Sequence, residues 1–219
     1  MPTLSLRRHR YAAFLALIFL APASLLLQGC PAVLVGGGAA AVSALEDRRT
    51  TGTQMDDGTI ESRVAQRISQ GVGERAHVNV TAFNRAVLLT GEAWDEATRA
   101  EVEKIAAAVG NVRSVTNEVL VSGVSSAGSR ANDTALTAKV KGRFIGSKDF
   151  NPLHVKVVTE QGVVYLLGLV TEKEAEAATE LARTTGGVRK VVKVFEYCKT
   201  SDDLCRPAPP PERAKSQRS

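Results

Sequence analysis

The chain repeats itself. The segment IESRVAQRI from Ile60 aligns with LTAKVKGRF from Leu136, 76 positions on, and HVNVTAFNRAVLLTGEA from His77 aligns with HVKVVTEQGVVYLLGLV from His154, 77 positions on. NVRSVTNEV from Asn111 then matches GVRKVVKVF from Gly187, back at 76. A stretch of about 60 residues that recurs with its internal order intact is one folding unit used twice. A length of 219 residues accommodates two such small domains.

Each copy has the same local grammar. Asp57 and Asp133 occupy aligned positions suited to helix N-caps, where a carboxylate accepts a hydrogen bond from a free N–H of the first turn. Ile60, Val64 and Ile68 follow at helical spacing, as do Leu136, Val140 and Phe144. Val78, Val80 and Ala82 alternate before a polar turn at Asn84 and Arg85, after which VLL leads to Gly91; the second copy turns at Gln161 and Gly162 and reaches Gly168. That pattern predicts a β-hairpin. Thr171 and Glu174 form a capping box ahead of an Ala-rich helix, and Val102, Ile105 and Val109 mark the buried face of its counterpart, both helices ending at glycine. Val115, Val119 and Val121 close the unit, matched by Val191, Phe195 and Tyr197. The expected fold is α+β: two tandem αββαβ domains, each a three-stranded mixed sheet packed on two helices.

Ahead of the repeat, Arg7, Arg8, His9 and Arg10 precede an apolar run from Tyr11 to Leu27 that is broken by Pro22 and stops at Gly29 and Cys30. A basic start, a short apolar middle and a small-residue end define a secretory signal peptide. The run is short and interrupted for a bilayer span, which needs about 20 apolar residues. Leu27, Gln28, Gly29 and Cys30 resemble the bacterial lipobox, in which the cysteine is lipidated and becomes the new N-terminus; plain secretion and a retained anchor are the alternatives. Acyl chains on Cys30 would hold through buried methylenes at ~0.8 kcal/mol each. The expected organisation is a signal peptide at 1–29, a lipidated linker at 30–57, domains at 58–122 and 133–198 joined by a linker at 123–132, and a Pro-rich disordered tail at 199–219.

The order of helix, hairpin ending in Gly91 or Gly168, helix, and then VGNVRSVTNEV or GGVRKVVKVF resembles the BON domain (bacterial OsmY and nodulation). Two such domains behind LLQGC are similar to dual-BON outer-membrane lipoproteins. The resemblance covers about Leu25 to Tyr197. It implies a lipid-anchored outer-membrane protein facing the periplasm, which binds anionic phospholipid through its second BON domain, supports envelope integrity and associates with the division site. Pro31 after the cysteine, rather than aspartate, gives no signal for inner-membrane retention under the family's sorting rule.

Charge separates the copies independently of any family. Residues 59 to 121 carry seven basic and eight acidic side chains, whereas 135 to 197 carry ten and seven. The excess in the second copy gathers on its first helix, where Lys139, Lys141, Arg143 and Lys148 meet no acidic residue before Asp149. Such a surface suits anionic headgroups, at ~1 kcal/mol per basic residue near a charged membrane. Lys141, Ile145 and Lys148 share a stripe about a quarter turn from the core positions, so Ile145, with Phe150 shortly after, is a candidate wedge into the headgroup layer. The bland readings are a solvated charged face, and Ile145 and Phe150 packed on the neighbouring domain. Arg143 aligns with Arg67 and so can serve the fold in both copies. Ala135 precedes this helix where dual-BON lipoproteins can carry an aromatic residue.

Other chemistries find less purchase. Of the net charge of +5, three positive charges lie in the signal segment, leaving +2, and aromatic residues are 5%, so neither a charge field nor a stacking platform for nucleic acid remains. Cys198 and Cys205, seven positions apart, either close a small disulfide loop in an oxidising compartment or remain two thiols; no histidine stands near them to make a zinc site. His77 and His154 occupy equivalent places before a strand, one to a module and without companion ligands, and read as edge residues. Trp94, before Asp95 at a helix start, reads as a hydrophobic staple. Gly36, Gly38 and Ala41 fit a dinucleotide fingerprint with no βαβ frame around it. No nucleophile with a paired base is found, so no enzyme, cofactor or metal is expected. The expected partners are an anionic phospholipid membrane, the second BON domain against the first, and possible envelope proteins; the alternative function is a lipid-tethered adaptor for envelope-assembly or division-site enzymes without direct lipid recognition.

Overall fold

The computed structural model describes residues 47–123, 125–202 and 205. The signal segment, Cys30 and most of the tail lie outside these residues. Each half of the described chain is an αββαβ unit.

In the first, helix α1 (Thr51–Val72) leads through a 3-10 turn into strand β1 (Ala76–Phe83), which pairs antiparallel with β2 (Ala86–Ala93). Helix α2 (Glu96–Ala107) returns the chain so that β3 (Ser114–Asn117) and β4 (Leu120–Val121) both run parallel to β2. The register of β4 continues that of β3, so the two are one strand interrupted where the buried Val119 turns inward. In the second unit, α3 (Ala127–Ile145), β5 (Val155–Glu160), β6 (Val163–Val170), α4 (Glu172–Arg183) and β7 (Lys190–Tyr197) repeat the order, with β6 central and β7 unbroken.

The helix stripes are those of the sequence: Ile60, Val64 and Ile68 pack with Val87, Leu89 and Val102, and Leu136, Val140 and Phe144 pack with Val164, Leu166 and Ala178. The helix starts differ. Both first helices begin inside the expected linkers, capped by Thr50, which accepts from Thr53 N–H, and by Ser126, which accepts from Ser129 N–H. Asp57 and Asp133 are therefore not N-caps. They sit within the helices, 3% and 5% exposed, and accept from the two backbone N–H groups of the adjacent hairpin turn: Asn84 and Arg85 for Asp57 (2.8 and 2.7 Å), Gln161 and Gly162 for Asp133 (both 2.8 Å). Those turn residues have positive φ, from 47° to 74°, which points their N–H groups inward to the carboxylate. The capping box of Thr171 and Glu174 forms as expected, and Asp95 caps α2. Trp94 is 63% exposed, too open for the staple expected of it. Nor does glycine cap α2 and α4, which end on Ala108 and Thr184; the left-handed residues come three positions later, at Asn111 and Gly187.

Gly91 and Gly168 have a shared physical reason. A Cβ at either would overlap the carbonyl oxygen of His77 or His154 on the neighbouring strand, so the backbones can approach there only without a side chain.

The central strands are covered on both faces. Along β6, Val164, Leu166 and Val170 face the helices, while Tyr165, Leu167 and Leu169 join Phe83 and Leu88 of the first domain in a third core between the sheets. Leu88 and Leu167 are wholly buried there, each worth ~1.5–3 kcal/mol relative to exposure. Cys198 and Cys205 are joined as a disulfide, with Cα atoms 6.2 Å apart, and Cys205 packs into this third core.

Candidate functional site

Helix α3 presents Lys139, Lys141, Ile145 and, just past its end, Lys148 on the surface. No salt bridge to these three lysines forms among the described residues. Ile145 is 76% exposed, beside Lys141 and with Lys148 following. In the first copy, counting back 76 positions, Ala65 and Ser69 stand in place of Lys141 and Ile145, so this charged and apolar combination belongs to the second domain alone.

Two other expected members are held elsewhere. Phe150 is not an exposed wedge: it is 6% exposed and meets Phe144 edge to face with ring centroids 5.0 Å apart, inside the second domain's core. Arg143 turns its guanidinium to the C-terminus of α4, donating from Nη1 to the Leu181 carbonyl at 2.6 Å and to the hydroxyls of Thr184 and Thr185 at 2.9 and 3.0 Å. Arg67 reaches the Ala108 carbonyl at 3.2 Å in the same way. The last carbonyls of a helix lack intrahelical partners and favour a cation, so these arginines serve the fold in both copies.

The structure adds residues that the sequence reading missed. Ile145 borders a groove of about 380 Å³ whose other lining includes Lys141, Pro152, Leu153, Val155, Lys156 and, from the first domain, Phe83 with Arg49 over its ring. Leu153 is 43% exposed. Its signal was present as an apolar residue directly after Asn151 and Pro152, a turn-forming pair where no core position is due. Two of the groove's cations are neutralised: Lys156 binds Glu61 at 3.0 Å, and Arg49 binds Asp57 at 2.8 Å and Asp47 at 2.7 Å. Lys141 supplies the groove's uncompensated charge among the described residues.

Arg48, next to Arg49, crosses to the second domain, donating to Leu169 O at 2.9 Å and to Glu174 at 2.8 and 2.9 Å. Burial would push the Glu174 carboxyl up, but hydrogen bonds from Arg48 and Thr171 hold it down at about 2. Consecutive arginines thus tie the start of the described chain to both domains.

Among the described residues no cluster of three or more His, Cys, Asp or Glu side chains could hold a metal, and no helix is long and apolar enough to cross a membrane. His77 is exposed, and His154 lies 3.6 Å from Glu174.

Comparison with known proteins agrees with this architecture. The BON domain family model matches residues 56–123 and 132–199. The chain is 38% identical over 183 residues to the Outer membrane lipoprotein DolP of Haemophilus influenzae, covering 83% of this chain and 95% of that protein. It is 35% identical to the 21 kDa hemolysin of Actinobacillus pleuropneumoniae, over 69% of this chain and 79% of that one, and 29% identical to the Osmotically-inducible protein Y of Escherichia coli, over 64% and 72%. With two matched modules spread over most of its length and the αββαβ order present in each, the chain belongs to the BON domain family.

Proposed function

We propose that this protein is an outer-membrane lipoprotein, anchored through Cys30 and facing the periplasm, whose second BON domain binds anionic phospholipid and thereby supports envelope integrity. The observation that carries the reading is Ile145, 76% exposed beside Lys141 and Lys148 on a helix whose counterpart in the first domain lacks both features. An isoleucine held in water gains ~1.5–3 kcal/mol on full burial, and three unpaired lysines add ~1 kcal/mol each at an anionic surface. Together these terms, about 4.5–6 kcal/mol, correspond to a Kd of tens to hundreds of micromolar before the tether adds its local concentration. The similarity to the Haemophilus outer membrane lipoprotein supports the anchor and the membrane.

Co-sedimentation tests it. The chain without residues 1–29 and with Cys30→Ser should pellet with vesicles containing phosphatidylglycerol at low salt and stay in solution with phosphatidylcholine vesicles. Equal pelleting with both, or with neither, overturns the proposal.

One observation favours a second reading. Trp94, Leu120 and Val121 are 63%, 41% and 44% exposed at one end of the first domain's sheet. A tethered adaptor would use such a patch to dock an envelope protein. That interaction would persist in high salt and without lipid, which separates it from the first.

A further inference from the structure

The core between the two sheets is interrupted by two glutamates. Glu92 on β2 is 1% exposed and Glu160 at the end of β5 is 8% exposed. Each is met across the domain boundary by a neutral amide: Gln161 Nε2 donates to Glu92 Oε1 at 2.9 Å, and Asn79 Nδ2 donates to Glu160 Oε2 at 2.9 Å. No cation pairs with either carboxylate among the described residues, and Glu92 Oε2 is buried with no hydrogen-bond partner. The BON module does not require acids here. Counting 77 positions between copies, Glu92 corresponds to Leu169 and Glu160 to Phe83, both apolar and both in the same inter-sheet core.

Taking two ionised carboxylates out of water costs several kcal/mol each unless a countercharge repays it, and like charges close together disfavour joint ionisation. The remaining charged neighbours do not repay it. Asp133 on α3 is negative and already occupied by the turn amides of Gln161 and Gly162; Glu118 adds negative charge near Tyr165 of β6. His77, opposite Glu92 on β1, opposes them but is exposed to solvent, and the Asn79 amide opposes them through its hydrogen bond without supplying a charge. A proton on one glutamate removes a charge and turns an oxygen into a donor.

We propose that Glu160, set against Glu92, is a proton-operated latch between the two BON domains, which docks the sheets tightly when Glu160 is protonated and loosens them when it ionises. Burial, with the charges of Glu92 and Asp133, raises the Glu160 carboxyl above its ordinary value. A group held up in the docked state favours docking fully below the ordinary glutamate range and loses that contribution as pH climbs through the raised value. Glu196 works in the opposite sense. Its hydrogen bond from Arg113 across the boundary lowers it, so that pair holds until pH falls below the ordinary range. Docking is therefore tightest in mild acid.

Hydroxyl-radical footprinting of the full chain reads this directly. Tyr165 and Phe83 report on the inter-sheet core, Phe144 on the second domain's own core, and exposed Trp94 normalises the dose. From pH 5 to pH 8.5, modification of Tyr165 and Phe83 should rise several-fold while Phe144 stays protected, bounded by about ten-fold in the docking equilibrium per pH unit for one proton. In Glu160→Gln the rise should vanish and in Glu92→Gln it should shrink, each tested separately so that a misfolded variant is recognised by labelling of Phe144. A flat wild-type profile, the same rise in both folded variants, or closure at pH 8.5 on adding calcium would overturn the proposal.

Discussion

Arg143 of α3 lies against the C-terminus of α4, with its Nη1 2.6 Å from the carbonyl oxygen of Leu181. The contact joins the two helices of the second domain at the point where α4 runs out of internal partners. A charge-assisted hydrogen bond contributes ~1.5–3 kcal/mol, and exposure of the side chain brings that down, so Arg143→Ala should cost about 1–2 kcal/mol in urea unfolding. Arg67→Ala, which removes one longer bond to Ala108, should cost less. Lys139→Ala, with no such contact, should stay within about 0.5 kcal/mol of wild type.

Asp133 offers a sharper test of what holds the module together. Its two oxygens take the N–H groups of Gln161 and Gly162 from a buried position. Asp133→Ala leaves those turn amides unpaired, at ~1–3 kcal/mol for each buried group, so a loss of about 2–5 kcal/mol is expected by thermal or urea unfolding. Asp57→Ala should do at least as much, because Arg49 also loses a partner. Asp→Asn at either site keeps one acceptor oxygen and should recover part of the loss.

These aspartates also show where sequence reading reaches its limit. Local rules place a carboxylate at a helix start because a free N–H is near in sequence; the donors used here are 27 to 29 residues away, and the helix runs on past the expected boundary. The duplication made the αββαβ order, the turns at Asn84 and Gln161, and the capping box at Thr171 legible, because each rests on residues within one turn or hairpin. Ile145 was readable as exposed from its place on the helical wheel. Phe150 was not, since it follows the end of α3, where periodicity lapses and only the return onto Phe144 decides its burial. The inter-sheet core has its signal in VVYLLGLV, which lacks polar alternation, as befits a strand covered on both faces.

Acid should act on the contact of Arg48 with the second domain. Glu174 is held at about 2 by Arg48 and Thr171, well below the ordinary glutamate value. A lowered carboxyl contributes stability that is present above the ordinary range and lost as pH falls through the folded value. Wild-type stability should therefore decline between about pH 4.5 and 2, and Glu174→Gln should be less stable at neutral pH with a shallower decline over that window. Arg48→Met should behave similarly. An unchanged acid profile in both would exclude Glu174 as the source.

Charge and apolar contact at α3 separate by their response to salt. Exposed charges are screened over about 10 Å at 0.1 M ionic strength, whereas burial of an isoleucine in lipid is not. Lys141→Gln with Lys148→Gln removes ~2 kcal/mol of attraction, so binding to phosphatidylglycerol vesicles should fall about thirty-fold at low salt and much less at 0.5 M. Ile145→Ser should lower binding by a similar factor at every salt concentration, because it removes the apolar term. Phe150→Ser, in contrast, should unfold the second domain before it changes lipid affinity, since that ring is packed on Phe144. Vesicle titration at two ionic strengths, with circular dichroism as the check on folding, distinguishes the three. Equal salt response for the lysine and isoleucine variants would mean that α3 does not contact the bilayer in the way its surface indicates.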